Sequence, residues 1–65
     1  MTQRINEKLG GWMLENNETC TSTAQKLNIS KPTFNTRISG KSEWKWEEAV
    51  AISRLIGVSL DELAR

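Results

Sequence analysis

Residues 23–41 read TAQKLNISKPTFNTRISGK. Large apolar residues are sparse here: Leu27, Ile29, Phe34 and Ile38. Phe34 and Ile38 are four apart, so they share one face of a helix. Ser30 suits the cap position at its start. Pro32 falls in the first turn, where a missing N–H costs nothing, and Gly40 ends the helix. A shorter helix precedes it, capped by Thr19 and turning Ala24 and Leu27 inward. Between the two lies Asn28; after Gly, Asn is the residue that best tolerates left-handed backbone angles. The stretch is therefore two short helices joined by a four-residue turn. Ala24 permits a close crossing, Ile29 plugs the turn, and Phe34 pins the second helix. Helices this short are unstable alone, so packing must hold them.

The flanking sequence is helical too, since strand-like alternation is nowhere sustained. From about Thr2, read as an N-cap, to Asn16, the residues Ile5, Leu9, Trp12 and Met13 recur at helical spacing. Gly10 and Gly11 each weaken that helix by about 1 kcal/mol relative to Ala, and suggest close packing against another helix. Beyond Lys41, a fourth helix is expected from about Trp46 to Ile56. It puts Trp46, Ala49, Ile52, Ser53 and Ile56 on one side, and Gly57 closes it. Ser59 and Glu62 then have capping-box spacing, and Leu60 and Leu63 supply apolar contacts. The pattern predicts an all-α domain of five helices over residues 1–65, with Phe34, Ile38, Trp46 and Leu63 buried. Trp12, Trp44 and Trp46 are all expected in the core or at its edge, because a small domain needs large aromatics.

Composition excludes several classes of function. A chain of 65 residues buries only about 60% of its unfolded surface, so its core is marginal. The single cysteine, Cys20, cannot form an internal disulfide; it reads as a helix-start residue with no redox role. With no histidine, a metal site of the usual nitrogen and sulfur type is excluded, and no cofactor is expected. A reducing, cytoplasmic setting fits. No apolar run approaches the roughly 20 residues of a membrane span, and MTQRINEKLGG has no signal-peptide core. An enzyme is a poor reading, because no general acid/base pair can be assembled without histidine, tyrosine or paired carboxylates.

The net charge of +1 hides a strong segregation. Residues 1–25 carry net −1 and residues 46–65 net −2. Residues 26–45 carry net +4, from Lys26, Lys31, Arg37, Lys41 and Lys45 against Glu43. That distribution suggests one face for an anionic partner.

The stretch quoted above, followed by WEEAVAISRLIGVSLDELAR, resembles the helix-turn-helix family of phage Cro and CI-type repressors, the lambda repressor-like (XRE-type) DNA-binding domains. With the helix before them, these segments cover nearly the whole chain. The resemblance implies a compact five-helix domain in which helices 2 and 3 form the helix-turn-helix. It implies a small phage-type transcriptional regulator that reads operator half-sites in double-stranded DNA with helix 3 in the major groove. Lys31, Pro32 and Thr36 sit where base-reading side chains sit in the family, and Thr33 and Asn35 share that outward face. Lys31 suits guanine O6 and N7, Asn35 suits adenine, and Pro32 or Thr36 suits a thymine methyl. Ser22, Thr23, Ser30, Arg37, Ser39, Lys41, Ser42 and Lys45 flank the helix as phosphate contacts. A homodimer is expected, formed on DNA, through Leu55, Val58 and Leu60. The family usually has Gly at the turn, where this chain has Asn28. It usually has an apolar residue where Arg37 sits; here Ile38 is expected to take that anchoring role. A second class stays open: a helix-turn-helix module that binds and modulates a partner repressor protein through the same polar helix.

Overall fold

Apolar residues at helical spacing and a signal at nearly every helix end divide this chain into five helices. The computed structural model describes residues 1–64. They form α1 (Thr2–Glu15), α2 (Cys20–Lys26), α3 (Lys31–Ile38), α4 (Trp46–Ile56) and α5 (Leu60–Leu63). All secondary structure among the described residues is helical. No helix of these is long and apolar enough to cross a membrane.

The ends follow their local chemistry. Thr19 and Ser22 make a reciprocal capping box at the start of α2. Ser30 accepts from the Thr33 N–H at the start of α3, and Ser59 accepts from the Glu62 N–H at the start of α5. Asn28 takes φ 60° in the α2–α3 turn, and Gly57 takes φ 73° after α4. One expected cap is corrected. Met1, not Thr2, precedes α1. Thr2 lies in the first turn and is buried; its hydroxyl donates to Glu43 and accepts from the Trp44 N–H. A hydroxyl with two long-range partners serves the fold better than it would serve one local N–H.

The core gathers Ile5, Leu9, Ala24, Leu27, Phe34, Trp44, Ala49, Ile52 and Leu63. α2 packs chiefly on α3, while α1 packs on α4 and α5. Phe34 and Trp44 meet edge to face, their ring centroids 6.0 Å apart. Of the four residues expected in the core, Phe34 and Leu63 are fully buried. Ile38 is only partly buried at the core edge. Trp46 is 59% exposed, which corrects the expectation. Helical side chains lean toward the N-terminus, so a residue that opens a helix leans off its end. Trp44, two positions earlier, fills the core place instead. Gly10 and Gly11 are also corrected: both are exposed, and a Cβ added at either meets nothing within 4 Å.

Candidate functional site

The outward side of α3 is polar and lightly tied. Lys31, Pro32, Asn35 and Thr36 are exposed, and Thr33 is half-buried. Phe34, on the opposite side, is fully buried. Within the exposed face the hydroxyls bond locally. Ser30 donates to Thr33 Oγ1 at 2.9 Å, and Thr36 Oγ1 donates to the Thr33 carbonyl at 2.9 Å. Thr36 keeps its methyl and a lone pair free. The Lys31 and Asn35 side chains have no ion pair or hydrogen bond among the described residues, so their donors are available to a partner.

The flanking residues divide. Ser39 is exposed and donates to the Thr36 carbonyl at 3.2 Å. Ser42 is half-buried, and its N–H donates to the same carbonyl at 3.1 Å. Ser22 is half-buried and engaged: besides its capping box it donates to Glu18 at 2.7 Å. Thr23, read from the sequence as a phosphate contact, is fully buried with an unpartnered hydroxyl, so its place is the core. Arg37, read the same way, is engaged inside the fold. Its Nε donates to Glu48 Oε1 at 2.9 Å, and both side chains are 14% exposed. The position that the resembled family fills with an apolar residue thus carries a half-buried ion pair, with Ile38 partly buried beside it.

Internal pairing sharpens the basic segment. Lys26 bonds Glu18 and lies over the Trp12 ring, 5.6 Å from its centroid. Arg37 is neutralised by Glu48. Lys31, Lys41 and Lys45 remain exposed and make no ion pair among the described residues, although the Lys45 charge acts on Glu48. Two lie in the loop that follows α3, and the third opens α3. The two bound carboxylates shift accordingly. The Lys26 hydrogen bond, joined by that of Ser22, holds the Glu18 carboxyl below its ordinary value. Burial alone would raise the Glu48 carboxyl, but hydrogen bonds from Arg37 and the Lys45 N–H outweigh it and hold it below the usual range.

A three-part clamp fixes how α3 sits. Asn6 of α1 donates to the Arg37 carbonyl at 3.1 Å and accepts from Trp44 Nε1 at 2.7 Å. Arg37 and the Lys45 N–H meet on Glu48 Oε1. The third part is the Ser42 bond to Thr36. Sequence reasoning missed Asn6, because its partners lie 31 and 38 residues away. Leu55, Val58 and Leu60 are half-buried and pack against the core, each leaving part of its apolar surface outside.

No protein-family model matches this chain, and neither a curated protein nor a solved structure matches it.

Proposed function

We propose that this protein is a sequence-specific DNA-binding regulator of the Cro type. In this reading α2, the Asn28 turn and α3 form a helix-turn-helix, and α3 lies in the major groove. The observation that carries it is the division of α3. Phe34 faces the core at 0% exposure, while Lys31, Pro32, Asn35 and Thr36 stand open on the other side. An α-helix fits the major groove, and its N-terminal residues meet base edges. Lys31, Pro32, Asn35 and Thr36 are the base readers in this account, with Thr33 beside them. Lys41 and Lys45, with Ser39 and Ser42 between or before them, hold phosphates. One short helix reads few bases, so two copies bind an operator with half-site centres about 34–36 Å apart. Leu55, Val58 and Leu60 supply the contact between them.

The test is a selection of bound duplexes from a random library, followed by gel shift under heparin challenge. Retention of one selected sequence over scrambled duplexes supports the reading, and equal loss of all duplexes to heparin rejects it. The modest net charge of +1 favours a second reading, in which the same face binds a partner repressor protein. That reading gains if heparin removes every duplex.

A further inference from the structure

The exposed side of α3 carries two columns of different chemistry. Lys31 and Asn35 are four apart, as are Pro32 and Thr36, so each pair lies along one line of the helix surface. All four residues are exposed. The first column holds donors, the Lys31 ammonium and the Asn35 amide, and neither has a bonded partner among the described residues. The second column holds none. Pro32 has a hydrocarbon ring and no N–H. Thr36 has a hydroxyl, but its proton is committed: Oγ1 lies 2.9 Å from the Thr33 carbonyl oxygen, which can only accept. The backbone of the first turn adds nothing, because Ser30 holds the Thr33 and Phe34 N–H groups. Pro32 and Thr36 therefore present carbon, and one oxygen restricted to accepting.

Such a column has nothing for a phosphate, which is held by donors or positive charge. It has nothing for guanine O6, thymine O4 or a purine N7 either, since all of these are acceptors. One group on the base edges of the major groove matches it. That group is the C5-methyl of a pyrimidine, the apolar feature of the groove's code.

We propose that Pro32 and Thr36 together read the C5-methyl group itself, so that the methyl of 5-methylcytosine is bound as the methyl of thymine is. This deepens the DNA-binding reading and rests on it. The methyl stands at the same ring position in both bases. They differ at position 4, where thymine carries an acceptor and cytosine a donor. Thr36 Oγ1 cannot donate to the first and can accept from the second, so nothing in this column penalises cytosine. The methylation state of a cytosine beneath the column therefore regulates how well the site is bound.

The experiment takes a duplex selected by wild type and replaces its thymines one at a time by deoxyuridine, which removes the methyl alone. At one position in each half-site the replacement should weaken wild type about fourfold, the effect of burying one methyl-sized group. Thr36→Val keeps the methyl and discards the hydroxyl, so it should show the same ratio between the two duplexes. Thr36→Ser keeps the hydroxyl and loses the methyl, so its ratio should shrink, as should that of Pro32→Ala. A ratio of two duplexes within one protein is not moved by a change in folding. With a cytosine·guanine pair at the same position, C5-methylation of the cytosine should strengthen wild type about fourfold, and Thr36→Ser less. Equal affinity for thymine and deoxyuridine at every position would overturn the proposal, as would a methylated cytosine that gives no gain. So would a ratio lost in Thr36→Val and kept in Thr36→Ser, because the hydroxyl would then be making the contact. In those cases wild type still retains the selected duplex under heparin, and the DNA-binding reading stands. If wild type retains no duplex under heparin, that reading fails and takes this one with it.

Discussion

The two ends of α3 are built differently. At its start, the bonds of Ser30 and Thr33 stay within α3 and its cap, the Lys31 side chain has no bonded partner among the described residues, and Ser30, Lys31 and Pro32 are exposed. At its end, Thr36 and Arg37 are bonded through carbonyls and guanidinium to Asn6, Ser42 and Glu48, which lie in α1, the following loop and α4. Phe34 lies between, in the core. The difference separates two tasks. One end fixes the direction of the helix; the other is tied only within the helix, and in the proposed reading it meets the partner. Substitutions at the fixed end should change stability; substitutions at the free end should change binding alone.

The largest effect tests the pivot between the two ends. Phe34→Ala removes a fully buried ring and should cost about 3–5 kcal/mol, enough to unfold a domain of marginal stability. Chemical denaturation reads this, and a folded, barely destabilised variant would break the comparison at its centre.

Next is the clamp. Asn6→Ala leaves the buried Trp44 indole N–H without its partner and takes one of its donors from the Arg37 carbonyl, which keeps the Gly40 N–H; this should cost about 1–3 kcal/mol. Binding should weaken with it, because the angle of α3 is no longer fixed. A melting temperature equal to wild type would show that Asn6 adds nothing to the fixed end.

Glu48 joins the clamp through charge. Glu48→Ala should cost about 1–2 kcal/mol, less than a fully buried pair because solvent reaches both side chains. Its carboxyl is held below the ordinary value in the folded state. The stability it contributes is therefore present above the usual carboxylate range and is lost as pH falls through the lowered value. Glu18 acts in the same direction. Thermal melts from about pH 7 down to about pH 3 should show falling stability, with a shallower fall in Glu48→Gln. An equal fall in that variant would assign the acid sensitivity to other groups.

The smallest stability effect has the opposite sign. Thr23 buries a hydroxyl without a partner in the helix that supports α3. Thr23→Val keeps the shape and removes that hydroxyl, so it should stabilise by about 1 kcal/mol. A loss of stability would mean that the hydroxyl has a partner. Binding should not change, because Thr23 lies inside.

Much of this arrangement was legible in local sequence. Ser30, Pro32, Phe34 and Gly40 mark out α3, and Asn28 and Gly57 mark the left-handed turns, because caps and turns depend on a few adjacent residues. Thr2, Asn6 and Arg37 were not legible in their actual roles. Each is an ordinary polar residue by spacing, and its partner becomes visible only when distant segments meet. The placement of the tryptophans failed for a related reason. Trp46 fits the apolar period of α4 with Ala49, Ile52 and Ile56, but the period does not tell whether an opening residue has core beneath it. The outward polar face of α3 was readable by subtraction: once Phe34 and Ile38 were given to packing, Lys31, Pro32, Thr33, Asn35 and Thr36 remained, and of these only Thr33 is half-buried.

The central claim is that the free end of α3 reads bases while the following loop holds phosphates. The most direct measurement titrates Lys31→Ala and Lys41→Ala against a selected and a scrambled duplex over a range of salt, at constant pH. With no histidine in the chain, affinity should be nearly flat between about pH 6 and 8. Both variants should melt like wild type, since exposed substitutions seldom alter stability. Lys31→Ala should lose about 1–3 kcal/mol on the selected duplex and relax preference at one base position. Lys41→Ala should weaken both duplexes alike and lower the salt slope by about one unit. Equal losses from the two variants on both duplexes would contradict the account, because α3 would then be reading no sequence.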